Sequence, residues 1–170
     1  MIVFLIIAGI AGFLAWIYWP EIIGAGWSPT PLSHVRRMLK MARVGPEDVV
    51  YDLGCGDGRI ITVAAGEFGA RAVGIEADPF RFFLSFLRVR FSGVRDKVNV
   101  RWGNFFNHNL KDATVVTVFL STKANRKLKE KLKKELSPGT RVVSYYWIFD
   151  DLKMTECDPF LHLYLYEIGR

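Results

Sequence analysis

The chain has 170 residues, 51% hydrophobic and 24% charged, which excludes a disordered polypeptide, a collagen-like repeat and a small disulfide scaffold. Its length fits one domain with an appendage. The net charge of +6 comes from 23 basic and 17 acidic side chains, all beyond residue 20.

Residues 2–19 form an uncharged, mostly apolar run that ends in Trp16, Tyr18 and Trp19 before Pro20. As a helix it would be about 27 Å long, close to the roughly 30 Å of a bilayer core, with an aromatic belt at one end. Two rival readings are a cleaved signal peptide, which lacks its basic n-region and A-x-A site, and a core helix, for which so small a domain has little surface to spare. No side-chain charge precedes the run, whereas Arg36, Arg37 and Lys40 follow it, so the body is expected in the cytoplasm. The expected organisation is a single-pass cell-membrane anchor over 1–20, a Gly-, Ser- and Pro-containing linker over 21–29, and a folded domain over 30–170.

Thr30-Pro31 reads as an N-cap with Pro at the first helical position, and Val35, Met38, Leu39 and Ala42 give that helix one apolar face. Residues 49–53 and 72–76 read as short strands around a helix over 59–68. Asp78-Pro79 caps a helix reaching Phe91 that is apolar on nearly every side, through Phe80, Phe82, Phe83, Leu84, Phe86, Leu87 and Val89. One face must pack on the sheet. The surplus, flanked by Arg81, Arg88 and Arg90, either meets a bilayer or a protein or is covered by loops.

Strands are expected over 98–102 and 114–120, then a helix over 123–136 with Leu128, Leu132 and Leu136 in one row. Lys123, Arg126, Lys127, Lys129, Lys131, Lys133 and Lys134 crowd that helix. A solvated face is the plain reading, and attraction to anionic lipid or an acidic partner the other. No aromatic residues interleave with these charges, which argues against nucleic acid as a partner. Pro138-Gly139 turns the chain into a strand over 141–147, and 161–168 closes it. Alternating strands and helices imply a parallel sheet covered on both faces, and the late paired runs add an antiparallel hairpin. The expected fold is α/β, three-layered and doubly wound.

Asp52-Leu53-Gly54-Cys55-Gly56-Asp57-Gly58 sits where the first strand turns into a helix. Glycines there let backbone N–H groups approach a ligand, and the helix N-terminus favours negative charge. Arg59 stands where a dinucleotide fingerprint needs its third glycine, and no Walker lysine follows. Glu76, at the next strand tip, can accept hydrogen bonds from both hydroxyls of a ribose. Neither Cys55 nor Cys157 has a CxxC partner or a histidine cluster, so no metal site is expected.

With these features the sequence resembles the class I S-adenosylmethionine-dependent methyltransferases, with a Rossmann-like fold. More closely, it resembles the small archaeal protein-lysine methyltransferases and their membrane-anchored mitochondrial relatives. Pro29-Thr30-Pro31, the glycine loop, Gly103-Asn104-Phe105-Phe106, the run over 113–122, Glu135-Leu136-Ser137-Pro138-Gly139 and the closing 163–169 carry the resemblance. It implies S-adenosylmethionine as cofactor. Asp52, Gly54, Cys55, Gly56, Asp57 and Gly58 would hold its methionine part, Glu76 the ribose, and Asn104 and Phe105 the adenine. Leu120, Ser121 and Thr122 would border the methyl group and the target amine. Where those relatives often carry His and an acid after Val142-Val143-Ser144, this chain has Tyr145-Tyr146-Trp147.

The strand tip Phe119-Leu120-Ser121-Thr122 lacks the [N/D]-P-P-[Y/F] motif of adenine and glutamine-amide methylation, and neither cysteine follows a Pro as cytosine chemistry needs. A lysine amine is the favoured acceptor, on a protein substrate, with a membrane protein as one candidate and the membrane itself as a partner. Tyr145 and Tyr146 are placed to orient it, or else simply pack the sheet. A small-molecule or lipid methyltransferase and a non-catalytic cofactor-binding module are the competing functions.

Overall fold

The computed structural model describes residues 28–169, together with Phe4, Ile7, Gly9 and Gly12. The expected anchor over 1–20 and most of the linker over 21–29 therefore lie outside the described residues. No described helix is long and apolar enough to cross a membrane.

The elements are α1 (Leu32–Met41), β1 (Val49–Leu53), α2 (Arg59–Glu67), β2 (Arg71–Glu76), α3 (Pro79–Phe91), β3 (Val98–Trp102), a 3-10 turn (Phe105–Asn107), β4 (Val115–Val118), α4 (Thr122–Glu135), β5 (Arg141–Tyr145), β6 (Met154–Asp158) and β7 (Leu163–Glu167). They build one seven-stranded sheet in the order β3-β2-β1-β4-β5-β7-β6. The pairs among β1 to β5 are parallel, and β7 runs antiparallel between β5 and β6. The doubly wound sheet with an antiparallel end is the expected Rossmann-like architecture.

Successive strand residues point to opposite faces, and each face is buried under its own helices. Val50, Ala72, Val115 and Val143 pack with Val35, Met38 and Leu39 of α1, with α2, and with Val89 of α3. Tyr51, Val73, Val116 and Val142 pack on the other side with Leu128, Leu132 and Leu136, the row expected for α4. Helices α1, α2 and α3 thus cover one face of the sheet, and α4 the other.

Four local expectations change. Thr30 is not the cap of α1: Pro31 is, without a side-chain hydrogen bond, and Thr30 is buried with its carbonyl accepting from Arg59 at 2.8 Å. The strand expected to reach residue 147 stops at Tyr145, because Tyr146 takes φ +70° and turns the chain. Strand β6 escapes the sequence reading because it is a half-polar edge strand with a register shift between Met154 and Glu156. Arg37 holds it through Asp158 at 3.0 Å. In α3 only Ser85 and Val89 are buried, so the described loops do not cover the surplus phenylalanines.

Candidate functional site

The strand order reverses between β1 and β4, and at such a switch point the loops after the parallel strands diverge and leave a crevice. A cavity of about 380 Å³ lies there. Asp52, Gly54, Cys55, Gly56 and Asp57 line it from β1, Glu76 from β2, Asn104 and Phe105 from β3, and Leu120 from β4. Nine of the ten residues assigned to the cofactor from sequence therefore share one wall. Gly58 stands behind them as the N-cap of α2, against Ser85 of α3.

The loop is held by the strand beside it. The N–H groups of Gly54 and Cys55 both donate to the carbonyl of Ile75, at 2.9 and 3.1 Å. Glu76, buried at the strand tip, accepts from the N–H of Gly56 at 2.8 Å and of Asp78 at 2.9 Å. Each of its oxygens keeps a second lone pair, so the carboxylate is oriented and still able to accept from a ligand. The Asn104 side chain accepts from Phe106 N–H at 3.0 Å, and the Phe105 and Phe106 rings sit 4.6 Å apart beside it.

Asp52 is strongly perturbed. Burial pushes its pKa up to about 7, helped by the charges of Glu76 and Asp57, against the opposing hydrogen bond from Thr117 at 2.9 Å. Its second oxygen, Oδ2, is buried without a hydrogen-bond partner among the described residues. An orphaned carboxylate oxygen in a cavity wall is a site for a cationic group such as an α-ammonium. For Asp57, burial opposes ionisation, but Arg59 and Arg88, at 2.7 and 2.8 Å, outweigh it and keep the carboxyl below its usual range. Asp52 and Glu76 therefore leave the cavity with acidic character.

Burial pushes the Cys55 thiol well up, with Asp52 and Glu76 adding to the shift, so it is a packing residue rather than a nucleophile. Among the described residues no cluster of three or more His, Cys, Asp or Glu side chains is arranged to hold a metal.

Tyr145, Tyr146, Ser121 and Thr122 are not in the cavity wall. Ser121 caps α4 by accepting from Ala124 N–H. Tyr145 stacks 4.5 Å from Phe119, which does line the cavity, and lies 5.5 Å from His34. Tyr146 is half exposed, 5.1 Å from His162, and its N–H donates to the His162 carbonyl at 2.8 Å. Its left-handed φ is costly for a bulky side chain.

Sequence reasoning missed Thr117, Arg81, Trp102 and the end of the linker, Ser28 and Pro29, all of which touch the site. The Pro29-Thr30 pair was the one available signal for the last of these.

The sequence profile of the ANTKMT methyltransferase domain matches residues 52–156. A protein-lysine N-methyltransferase of Saccharolobus islandicus is 46% identical over 148 residues, covering 83% of this chain and 92% of that one. The adenine nucleotide translocase lysine N-methyltransferase of Mus musculus is 32% identical over 79% of this chain, which spans only 63% of the mouse protein. The crystal structure of an RNA methyltransferase from Salinibacter ruber with S-adenosyl-L-homocysteine superposes with a TM-score of 0.78 at 40% identity, over 83% of this chain and 94% of that one.

Proposed function

The chain belongs to the ANTKMT methyltransferase domain family and is an S-adenosylmethionine-dependent methyltransferase, and from that premise we propose that it methylates protein lysine side chains at a membrane. The observation that carries the lysine reading is the match to the archaeal protein-lysine enzyme over 83% of this chain and 92% of that one. The absence of [N/D]-P-P-[Y/F] at Phe119 to Thr122 agrees with it.

When bound, S-adenosylmethionine supplies a methyl group on a sulfonium. Asp52 takes the methionine ammonium on its free oxygen, Glu76 accepts from the ribose hydroxyls, and Asn104 with Phe105 flanks the adenine. Leu120 and Phe119 wall the target side. A lysine of pKa about 10.4 costs roughly 4.6 kcal/mol to deprotonate at pH 7, so the site must dry and align the amine. Tyr145, braced on Phe119, and Tyr146, held in its turn, orient that amine.

Three outcomes follow from these roles. Glu76→Ala should weaken S-adenosylhomocysteine binding by about 1.5–3 kcal/mol in calorimetry, through lost charged hydrogen bonds. Tyr146→Phe and Tyr145→Phe should lower kcat with cofactor affinity nearly unchanged, whereas pure ring packing would leave kcat intact. The uncharged run over 2–19, followed by Arg36, Arg37 and Lys40, supports a membrane anchor with the body in the cytoplasm. A reporter fused after Arg170 should read as cytoplasmic in a carbonate-resistant fraction, and a reporter outside would reverse the topology.

The acceptor is tested by incubating the full chain and methyl-labelled S-adenosylmethionine with a membrane extract. Label recovered as methyl-lysine after acid hydrolysis is expected. Label released by ribonuclease, as the name of the Salinibacter relative would suggest, or extracted with lipid, would overturn the lysine reading and leave the cofactor assignment standing.

A further inference from the structure

The outer face of α3 is an exposed apolar feature that the methyl-transfer site leaves unused. Phe80, Phe83, Leu84, Leu87 and Phe91 recur at i, i+3, i+4, i+7 and i+11, one apolar stripe along the helix. It is turned away from the buried Ser85 and Val89, and Phe83 and Phe91 are 53% and 80% exposed. This inverts the usual arrangement, in which the apolar stripe of a surface helix faces the core. Phe86, also exposed, marks the start of a second cavity of about 260 Å³ between α3 and β3. Arg90 and Arg95 stand over that cavity, and neither has a carboxylate partner among the described residues.

The geometry points to this face as the surface by which the enzyme lies on an anionic bilayer: the phenylalanine stripe enters the interface, and Arg90 and Arg95 bind lipid phosphate. The inference rests on the membrane anchoring proposed above, and the position of the tether supports it. Ser28 and Pro29, where the anchor's linker joins the body, share the wall of the 380 Å³ cavity with Ala77 and Arg81, at the start of α3. The seven residues from Glu21 to Trp27 reach at most about 25 Å, so an anchored body stays close to the membrane. An apolar helical stripe edged by arginines is the chemistry an anionic interface selects. The lysine-rich α4 packs on the opposite face of the sheet, so it cannot meet the same bilayer plane. Docked on α3, the catalytic cavity would open beside the membrane surface, where Trp102 is exposed at its mouth.

The test uses the full chain in vesicles of phosphatidylcholine with phosphatidylglycerol. Cys157, exposed, is changed to Ser, and a single cysteine is placed at Phe83→Cys or, as a control, Lys127→Cys on α4; Cys55 is buried and escapes labelling. An environment-sensitive fluorophore should shift blue at position 83, with quenching by spin-labelled lipid several times stronger than at 127. The pair Arg90→Glu and Arg95→Glu should abolish that contrast while the protein still floats with the vesicles. A protein that floats with a water-like label at 83 overturns the docking face and leaves the anchor standing; one that does not float overturns both. A label that is dry but unquenched by lipid, as when a second copy covers α3, also overturns the proposal, as does full quenching in the double-arginine variant.

Discussion

Replacing Asp52 by Asn is expected to make the protein more stable at alkaline pH and at the same time a much poorer binder of S-adenosylmethionine. Burial raises the Asp52 pKa from its ordinary 3.8 to about 7 in the folded chain. The folded state then binds a proton that the unfolded state has released, so stability falls as pH rises between these values. The full shift corresponds to a cost of about 4 kcal/mol above pH 7, absent below pH 4. The asparagine variant, isosteric and uncharged, should match the parent near pH 4 and exceed it by up to that amount near pH 8. Other carboxylates, Asp57 and Asp158 among them, have lowered pKa values and act in the opposite sense, so the difference between the two proteins is the quantity to measure. For the cofactor the sign reverses. An ammonium needs the ionised carboxylate, so affinity in the parent should rise about tenfold per pH unit up to 7 and then level off. In the variant it should be flat and weaker by about 1.5–3 kcal/mol. Denaturation curves and calorimetry across the pH range check both halves; parallel pH profiles for the two proteins would remove Asp52 from the role assigned to it.

Gly58→Ala is expected to destabilise the fold by about 2–5 kcal/mol. Gly58 has φ +78° at the N-cap of α2, a conformation that costs roughly 1–2 kcal/mol for a residue with a Cβ. The added atom would also lie 3.0 Å from Ser85 Cβ and 3.2 Å from Ser85 Cα, the buried backbone of α3, where crowding costs about 1–3 kcal/mol. Gly56→Ala is the control: φ is +56°, but nothing lies within 4 Å of its Cβ, so only the conformational cost applies. Equal losses for the two variants would show that α3 yields to the methyl group.

Much of this architecture follows from local pattern. Nearly continuous β-rich apolar runs in 49–53 and 141–145 state strands buried on both faces, and period 3.6 in α1 and α4 states which helix face must leave water. Asp52 to Gly58 followed by Glu76 announces the ligand loop, because glycines between a strand and a helix mark a sharp backbone turn and the acid at the next strand tip marks a ligand beside it. These signals are local in the chain, so the helices, most strands and nine residues of the cavity wall are legible before any fold is known.

What it could not determine depends on contacts far apart in the chain. The partnership of Asp52 with Thr117 exists because β1 and β4 pair in a register that sets them opposite one another. No periodicity states that register, yet it decides which carboxylate oxygen is satisfied and which is left for a ligand. Strand β6 lacks an apolar alternation because its edge position leaves most of it wet, and Arg37 supplies the tie that burial does not. The aromatic surplus of α3 was legible as composition, but only the packing of Ser85 on Gly58 and of Val89 in the core decided which side faces outward. Apolar side chains surround most of α3, so its own pattern does not say which side is buried, and its neighbours choose that face.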